Sequence, residues 1–391
     1  MSANRSEGRS WWPRDCAMRS PLGRLAGITV ALVLGLSLLV APVRAQTALD
    51  APGTVVTSSP MPPGALPQGV AAGSYVTYWT IGPEGRPALS TGAVLLPPGD
   101  PPPGGWPVVS WAHGTVGVAD ACAPTVTGQI AGPYLESWLQ EGYAIVATDY
   151  VGLGTPGIHP YLDGPSEAHS VIDMVRAGRA VTPSLSDRWV ALGQSQGGHA
   201  VLATASIATR YAPELDFRGT VATGAPSNLE KLAPVTGPDF PPLPLTGSTV
   251  FVGYGLVGLR AAHPELNVDS YLSPVGLDVL GRLESLCYED AQAQFGNVTI
   301  GQLLSRPLAD PAMQAALQHS VAVPVTGYDR PLFIGQGLFD DVVPAGFTFV
   351  LVSELTAAGQ DFVFRTYPDG HLTTMPASLP DTTEFVRSAF Q

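Results

Sequence analysis

A serine hydroxyl is a poor nucleophile at neutral pH and becomes useful only where a base can take its proton and a third group orients that base. Gly193-Gln194-Ser195-Gln196-Gly197 is a place for such chemistry. It follows an apolar run, Trp189 to Leu192, that reads as a short buried strand, and it precedes a small-residue stretch, Gly198 to Tyr211, that reads as a helix. A serine on a sharp strand-to-helix turn requires small residues two before and two after it. Its hydroxyl then projects above the sheet, and the N–H of the next residue, Gln196, points to the same place as one donor of an oxyanion hole. A glycine-rich turn with an incidental serine is the competing reading, so the choice rests on whether partners exist.

The strand–turn–helix setting resembles that of the α/β-hydrolases, and the resemblance implies that the acid and the base follow the serine in chain order, at the carboxyl ends of later strands. Gly337-Leu-Phe-Asp340-Asp341-Val-Val-Pro344 directly follows a strand ending at Gly335, and Asp340 stands at the strand-end turn. Asp340 is therefore the expected orienting carboxylate, and Asp341 is expected to cap the next helix, where its charge suits the N-terminal dipole. His371, in Tyr367-Pro-Asp-Gly-His371, lies in the loop after the last strand and before the last helix and is the expected base. His113-Gly114-Thr115 follows an earlier strand, where the second oxyanion donor belongs, so the N–H of Thr115 is expected to pair with that of Gln196. His113 reads as an anchor of that loop. Asp149 also ends a strand but precedes Ser195, and it reads as a loop organiser. His199 is expected to pack beneath the turn, and His159, on a glycine-rich loop, to lie near the site.

The elements that must hold these residues alternate. Ser74 to Ile81 and Ser90 to Leu96 look like an antiparallel pair; strands follow at Val108–Ala112, Ala144–Thr148, Gly219–Thr223, Pro331–Gly335 and Phe362–Tyr367. Helical stretches lie between them at about 130–141, 166–181, 198–211, 345–358 and 379–389, which indicates a mostly parallel sheet covered on both faces. Residues 74–226 and 327–391 form the two parts of this layered core. Residues 227–326, with clustered prolines and helical pieces such as Leu277 to Phe295, read as an inserted cap. Residues 46–73, rich in Pro, Gly, Ala and Ser without periodicity, read as an exposed arm.

Composition narrows the function. With 391 residues, 45% apolar and only 13% charged, a large core is easily built. The net charge is −13 and the only lysine is Lys231, which disfavours nucleic-acid binding. Arg19 and Arg24 precede an apolar run from Leu25 to Ala41, and Val43-Arg44-Ala45 supplies a small-residue cleavage site. Residues 1–45 therefore read as a secretory signal peptide cut after Ala45, with Met1 and Met18 both open as the start. Cys122 and Cys287 then remain in an oxidising context, either as a disulfide or as two buried thiols. No metal-ligand cluster, phosphate loop or dinucleotide fingerprint is present in the sequence, and no cofactor is expected.

Taken together, Ser-Trp-Ala-His113-Gly-Thr, Ala-Thr-Asp149-Tyr-x-Gly-Leu-Gly, Gly-Gln-Ser195-Gln-Gly-Gly-His, Asp340-Asp-Val-Val-Pro and Gly-His371 resemble the secretory lipase family, the fungal lipase A type and its bacterial relatives, within the α/β-hydrolases. The resemblance spans about Tyr75 to Phe390. It implies a helical cap inserted after the strand that follows the serine turn, and a disulfide joining core to cap, which Cys122 and Cys287 fit. It also implies hydrolysis of carboxylic esters, often triacylglycerols. The expected protein is a secreted monomer with a Ser195–Asp340–His371 triad, an ester or lipid substrate and transient contact with a lipid interface. A peptidase or acyltransferase on the same scaffold is the alternative, for which Glu284, Glu289 and Asp290 in the cap would be the pocket acids.

Overall fold

The computed structural model describes residues 50–391. The expected signal segment, residues 1–45 with its cleavage site after Ala45, lies outside the described residues. Among the described residues, nine strands form one sheet in the order β1-β2-β3-β5-β4-β6-β7-β8-β9. The first three, β1 (Val55–Pro60), β2 (Ala72–Ile81) and β3 (Pro87–Leu96), are antiparallel, and β3 joins β5 (Ala144–Val151) antiparallel. From β5 through β4 (Trp106–Ala112), β6 (Leu185–Gln194), β7 (Asp216–Thr223) and β8 (Leu332–Gly337) to β9 (Val363–Tyr367), every pairing is parallel. The α/β-hydrolase architecture read from the sequence is therefore present.

Strand side chains alternate between two apolar layers, as the period of two requires. Along β6, Trp189 and Ala191 join the layer under α2 (Gly164–Val181) and α3 (Gln196–Tyr211), while Val190 and Leu192 join the opposite one. That second layer is completed by Tyr134 and Trp138 of α1 (Pro133–Gln140) and by Val386 from the C-terminal helix. A sheet buried on both faces explains why its central strands read as continuous apolar runs.

Between β7 and β8 the chain leaves the sheet and builds a separate apolar cluster. Its helices are α4 (Ser248–Ala262), α5 (Pro274–Leu283), α6 (Tyr288–Phe295) and α7 (Pro311–Ser320), which pack Val250, Tyr254, Leu280, Leu283, Met313 and Leu317 together. After β8 come α8 (Ala345–Ala357), then β9, α9 (His371–Ala377) and α10 (Leu379–Ala389). A disulfide joins Cys122, on the loop after β4, to Cys287, just before α6. Beside it, Tyr288 N–H donates to the Val116 carbonyl at 2.9 Å. Gly117 adopts φ +133°, and a Cβ there would stand 2.8 Å from Cys122 Sγ, so only glycine passes this crossing.

Three local expectations need correction. Part of the supposed arm is strand β1, paired with β2 as the sheet edge; its exposed side chains and terminal proline hid it, because an edge strand needs neither an apolar face nor every ladder N–H. The single helical piece expected over 277–295 is two helices, α5 and α6, broken at Glu284–Cys287 where the disulfide departs. And His371 is not in a loop: it is the first residue of α9, after Gly370 as N-cap.

Candidate active site

Ser195 sits between the last residue of β6 and the first of α3 with φ 58° and ψ −123°, a conformation that non-glycine residues rarely adopt. The surroundings over-determine it. A Cβ on Gly193 would lie 2.1 Å from the Gly197 carbonyl oxygen, and one on Gly197 would lie 1.9 Å from that of Ala112. Neither distance is survivable, so the two glycines of the motif let the turn close on itself and on β4. Ser195 N–H donates to the Thr223 carbonyl at 2.9 Å, which fixes the turn to the end of β7.

Asp340 and His371 come together as expected: His371 Nδ1 lies 2.8 Å from Asp340 Oδ2, and the carboxylate is fully buried. Asp340 Oδ1 accepts the N–H groups of Val342 and Val343 at 3.0 and 2.7 Å, and Oδ2 also accepts from Gln336 Nε2 at 3.2 Å. Three donors from the protein besides the ring therefore converge on this carboxylate, and His371 Nδ1 faces it as an N–H donor, which leaves the lone pair on Nε2. The ring is brought to the serine turn from two sides. Gln194 Nε2 donates to the His371 carbonyl at 3.2 Å, and a Cβ on Gly224, next to Thr223, would stand 3.3 Å from the His371 ring. No Ser195–His371 hydrogen bond is formed among the described residues; such contacts commonly tighten only when substrate is bound.

The loop after β4 lies against the serine, where a Cβ on Gly114 would be 3.6 Å from Ser195 Cβ. Thr115 follows, its Oγ1 2.6 Å from the Tyr161 hydroxyl. Gln196 opens α3, so its N–H has no intrahelical acceptor. His113 anchors this loop as expected, through contacts of Nδ1 with the Gly114 carbonyl and Nε2 with that of Asp149. Asp149 organises loops as well: it accepts Thr91 Oγ1 at 2.7 Å and Thr125 N–H at 3.1 Å, and Thr125 Oγ1 besides. Burial raises its pKa, against those hydrogen bonds. Asp341 departs from expectation. Pro344 is the N-cap of α8, and Asp341 instead accepts Thr246 Oγ1 at 2.6 Å, tying the β8 loop to the insert.

Ser195 forms part of the wall of a cavity of about 190 Å³ whose lining is otherwise almost wholly apolar, with Leu229, Phe240, Phe251, Leu256 and Phe347 among its walls. Glu284, Glu289 and Asp290 do not line it, and Glu284 pairs with Arg260 at 2.6 Å. Among the described residues no group of His, Cys, Asp and Glu is arranged to hold a metal. Two contributors escaped the sequence reading. Gln336 carries Asp340 and is itself held by Thr348 Oγ1 at 2.6 Å, and its one signal was a polar residue at the end of an apolar strand. Glu167 falls in the stretch expected as helix, 166–181, with nothing in the sequence to single it out, yet it is fully buried beneath the turn.

Strand order, serine turn and strand-end loops define the class, an α/β-hydrolase. Residues 119–391 match the model of the family described as secretory lipase, and the chain belongs to that family. It is 26% identical over 374 residues to lipase A of Moesziomyces aphidis, covering 87% of this chain and 77% of that one. It is 24% identical over 372 residues to a probable inactive lipase of Mycobacterium tuberculosis, covering 87% and 78%. The closed-state crystal structure of Candida antarctica lipase A superposes with a TM-score of 0.73 at 24% identity, over 87% of this chain and 82% of that one. The protein is thus a carboxylic ester hydrolase of the lipase/esterase type.

Proposed function

We propose that this chain is a secreted serine ester hydrolase acting on acylglycerols, with Ser195 as nucleophile, His371 as base and Asp340 as orienting carboxylate. The observation that carries this reading is the buried Asp340–His371 pair, which leaves the lone pair on Nε2 beside the serine turn. Ser195 Oγ attacks the ester carbonyl while His371 Nε2 takes its proton, and the imidazolium is stabilised by Asp340. The N–H groups of Gln196 and Thr115 receive the negative charge on the carbonyl oxygen. His371 returns the proton to the leaving alcohol, and the same residue then activates water to clear the acyl-enzyme.

The apolar cavity under residues 227–326, read as a cap, supports a fatty acyl chain as the acid portion. Leu338, Phe339 and Leu372, next in sequence to Asp340 and His371, are exposed, Phe339 at 71% and Leu372 at 75%. Their two loops are joined by Leu338 N–H to the Tyr367 carbonyl (2.8 Å) and Phe339 N–H to that of Asp369 (3.0 Å). Apolar side chains presented on the loops that hold the base support contact with a lipid surface.

The test is initial rates of the chain from Gln46 on para-nitrophenyl esters from acetate to palmitate and on emulsified triacylglycerol, with Ser195→Ala as blank. The expected result is turnover that rises with chain length, vanishes in Ser195→Ala, and in Phe339→Ser is lost selectively on the emulsion. Equal rates for Ser195→Ala and the parent would refute the assignment, and activity confined to short soluble esters would refute the acylglycerol substrate.

A further inference from the structure

Beneath the serine turn lies a second carboxylate–imidazole pair that the reaction above does not use. Glu167, in the first turn of α2, accepts the Leu162 N–H at 3.2 Å and Gln196 Nε2 at 2.8 Å on Oε1, and meets His199 Nδ1 at 3.0 Å on Oε2. His199 Nε2 in turn lies 3.0 Å from the Val321 carbonyl. Both ring nitrogens therefore face acceptors, and the arrangement is satisfied when each carries a proton: an imidazolium against a carboxylate. Burial works to lower the His199 pKa, but the hydrogen bond and charge of Glu167 outweigh it and hold it raised. Glu167 is lowered for the matching reason, its burial overcome by His199.

The pair fixes Gln196. The Gln196 amide nitrogen has two hydrogens and two acceptors, Glu167 Oε1 and, at 2.7 Å, His159 Nε2. His159 can accept there because its Nδ1–H is given to the Val151 carbonyl at 2.8 Å. Turning the amide over would set its oxygen against a carboxylate and an imidazole lone pair, so one orientation is specified. Gln196 Oε1 is left without a partner among the described residues, so the amide is oriented by what it donates. The backbone N–H of this same residue is the one placed on the oxyanion above.

We propose that Glu167, backed by His199, is a positioning residue for ester hydrolysis: by clamping the Gln196 side chain it sets the angle of the Gln196 N–H toward the oxyanion. The inference rests on the esterase reading of Ser195. A hydrogen-bond donor aimed at developing charge is effective only if it needs no reorientation during the reaction. Ser195, one residue earlier, holds an unfavourable φ that would relax if the first turn of α3 were released. The other titratable groups that face the pair are His159, with His113 facing it in turn; Asp163, held by Ser166 and Ser320; Tyr150, stacked on His159; Tyr161; and Glu230 from the insert.

The test uses Glu167→Gln in the full mature chain, assayed on a soluble para-nitrophenyl ester with ¹⁵N-histidine NMR alongside. The expected result is a fall in kcat of at least about tenfold with KM changed less than about twofold, acylation and deacylation slowing together because both need the oxyanion donor. In the parent, one histidine, assigned by its loss in His199→Gln, should titrate above the ordinary 6.5, and in Glu167→Gln it should titrate below it. If Glu167→Gln does not fold, Gln196→Met removes the clamped amide while sparing the buried pair. It should show the same loss of kcat with His199 still titrating above 6.5. A parent enzyme silent on every ester defeats the esterase reading itself. An active parent matched in kcat by folded Glu167→Gln or by Gln196→Met overturns the positioning role, as does a His199 that titrates below 6.5 in the parent.

Discussion

Asp340 and His371 meet at 2.8 Å, Glu167 and His199 at 3.0 Å, and in both pairs the carboxylate is fully buried. The pairs differ in what the far nitrogen of the imidazole finds. His199 Nε2 meets the Val321 carbonyl, which completes its hydrogen bonding. His371 is held at Nδ1 alone, and Gly224 leaves its ring room beside the serine turn. A carboxylate and a histidine in contact do not by themselves make a base. The pair becomes a base where one nitrogen is left to the substrate and a strut where both are filled. His159 shows a third outcome, a neutral ring that gives one proton to Val151 and accepts one from Gln196.

The widest separation between the two pairs is expected from removing each histidine. His371→Gln should lower kcat by on the order of 10⁶-fold, the scale on which loss of the base acts in a serine triad, while moving the urea unfolding midpoint little. His199→Gln should do the reverse in proportion: it strips a buried carboxylate of its cation, at a cost of about 3–5 kcal/mol in unfolding free energy. Urea melts and steady-state rates on the same preparations check both, and a His199→Gln enzyme as stable as the parent would end the distinction.

A smaller effect sharpens the third outcome. Burial holds His159 at about 4 in the folded protein against an ordinary 6.5. Below pH 6.5 the unfolded chain takes up a proton that the folded one refuses, so stability is lost as pH falls from 6.5 toward 4. The Glu167–His199 pair does not contribute to that slope between 4.5 and 6.5. The stability from its raised histidine is already complete below 6.5, and that from its lowered carboxylate is lost only below 4.5. His169, also at about 4, adds to the decline, and Asp173, raised by burial to about 6, opposes it. Replacing His159 by Gln should therefore make the plot of unfolding free energy against pH shallower by up to about 1.4 kcal/mol per pH unit in this window. An unchanged slope would mean that the ring is protonated in the folded state.

The smallest effect separates neighbouring carboxylates. Asp341→Ala removes an exposed hydrogen bond to Thr246 and should change kcat by less than about twofold and stability by about 0.5 kcal/mol or less. A large loss of rate in Asp341→Ala would shift the orienting role away from Asp340.

The features legible in the sequence were those with a local cause. Central strands buried on both faces declare themselves as apolar runs, as Val190–Leu192 does, and the strand-end positions of Ser195, Asp340 and His371 follow from where those runs stop. The glycines of the serine turn were readable because the contacts that forbid a side chain there belong to the turn and its nearest strand. Strand β1 was not legible, since its side chains face solvent and its pairing partner is supplied by β2. Neither was Glu167, whose His199 partner is 32 residues away, nor the tie from Asp341 to Thr246, which spans 95. A buried polar residue acquires its meaning from partners that only the folded chain brings near, and so the supports of the site were harder to read than the site itself.

The bond between Cys122 and Cys287 bears on how the molecule withstands damage. It encloses the proline-rich stretch around Pro241, Pro242 and Pro244, whose side chains are exposed. A protease that cut there would sever the chain on the way into the insert, yet one fragment would keep Cys122 and the other Cys287. The two pieces would remain a single covalent molecule, with Ser195 on the first and Asp340 and His371 on the second. They would separate on a denaturing gel only after reduction, so integrity in a protease-laden medium is here a property of the cross-link rather than of an unbroken backbone.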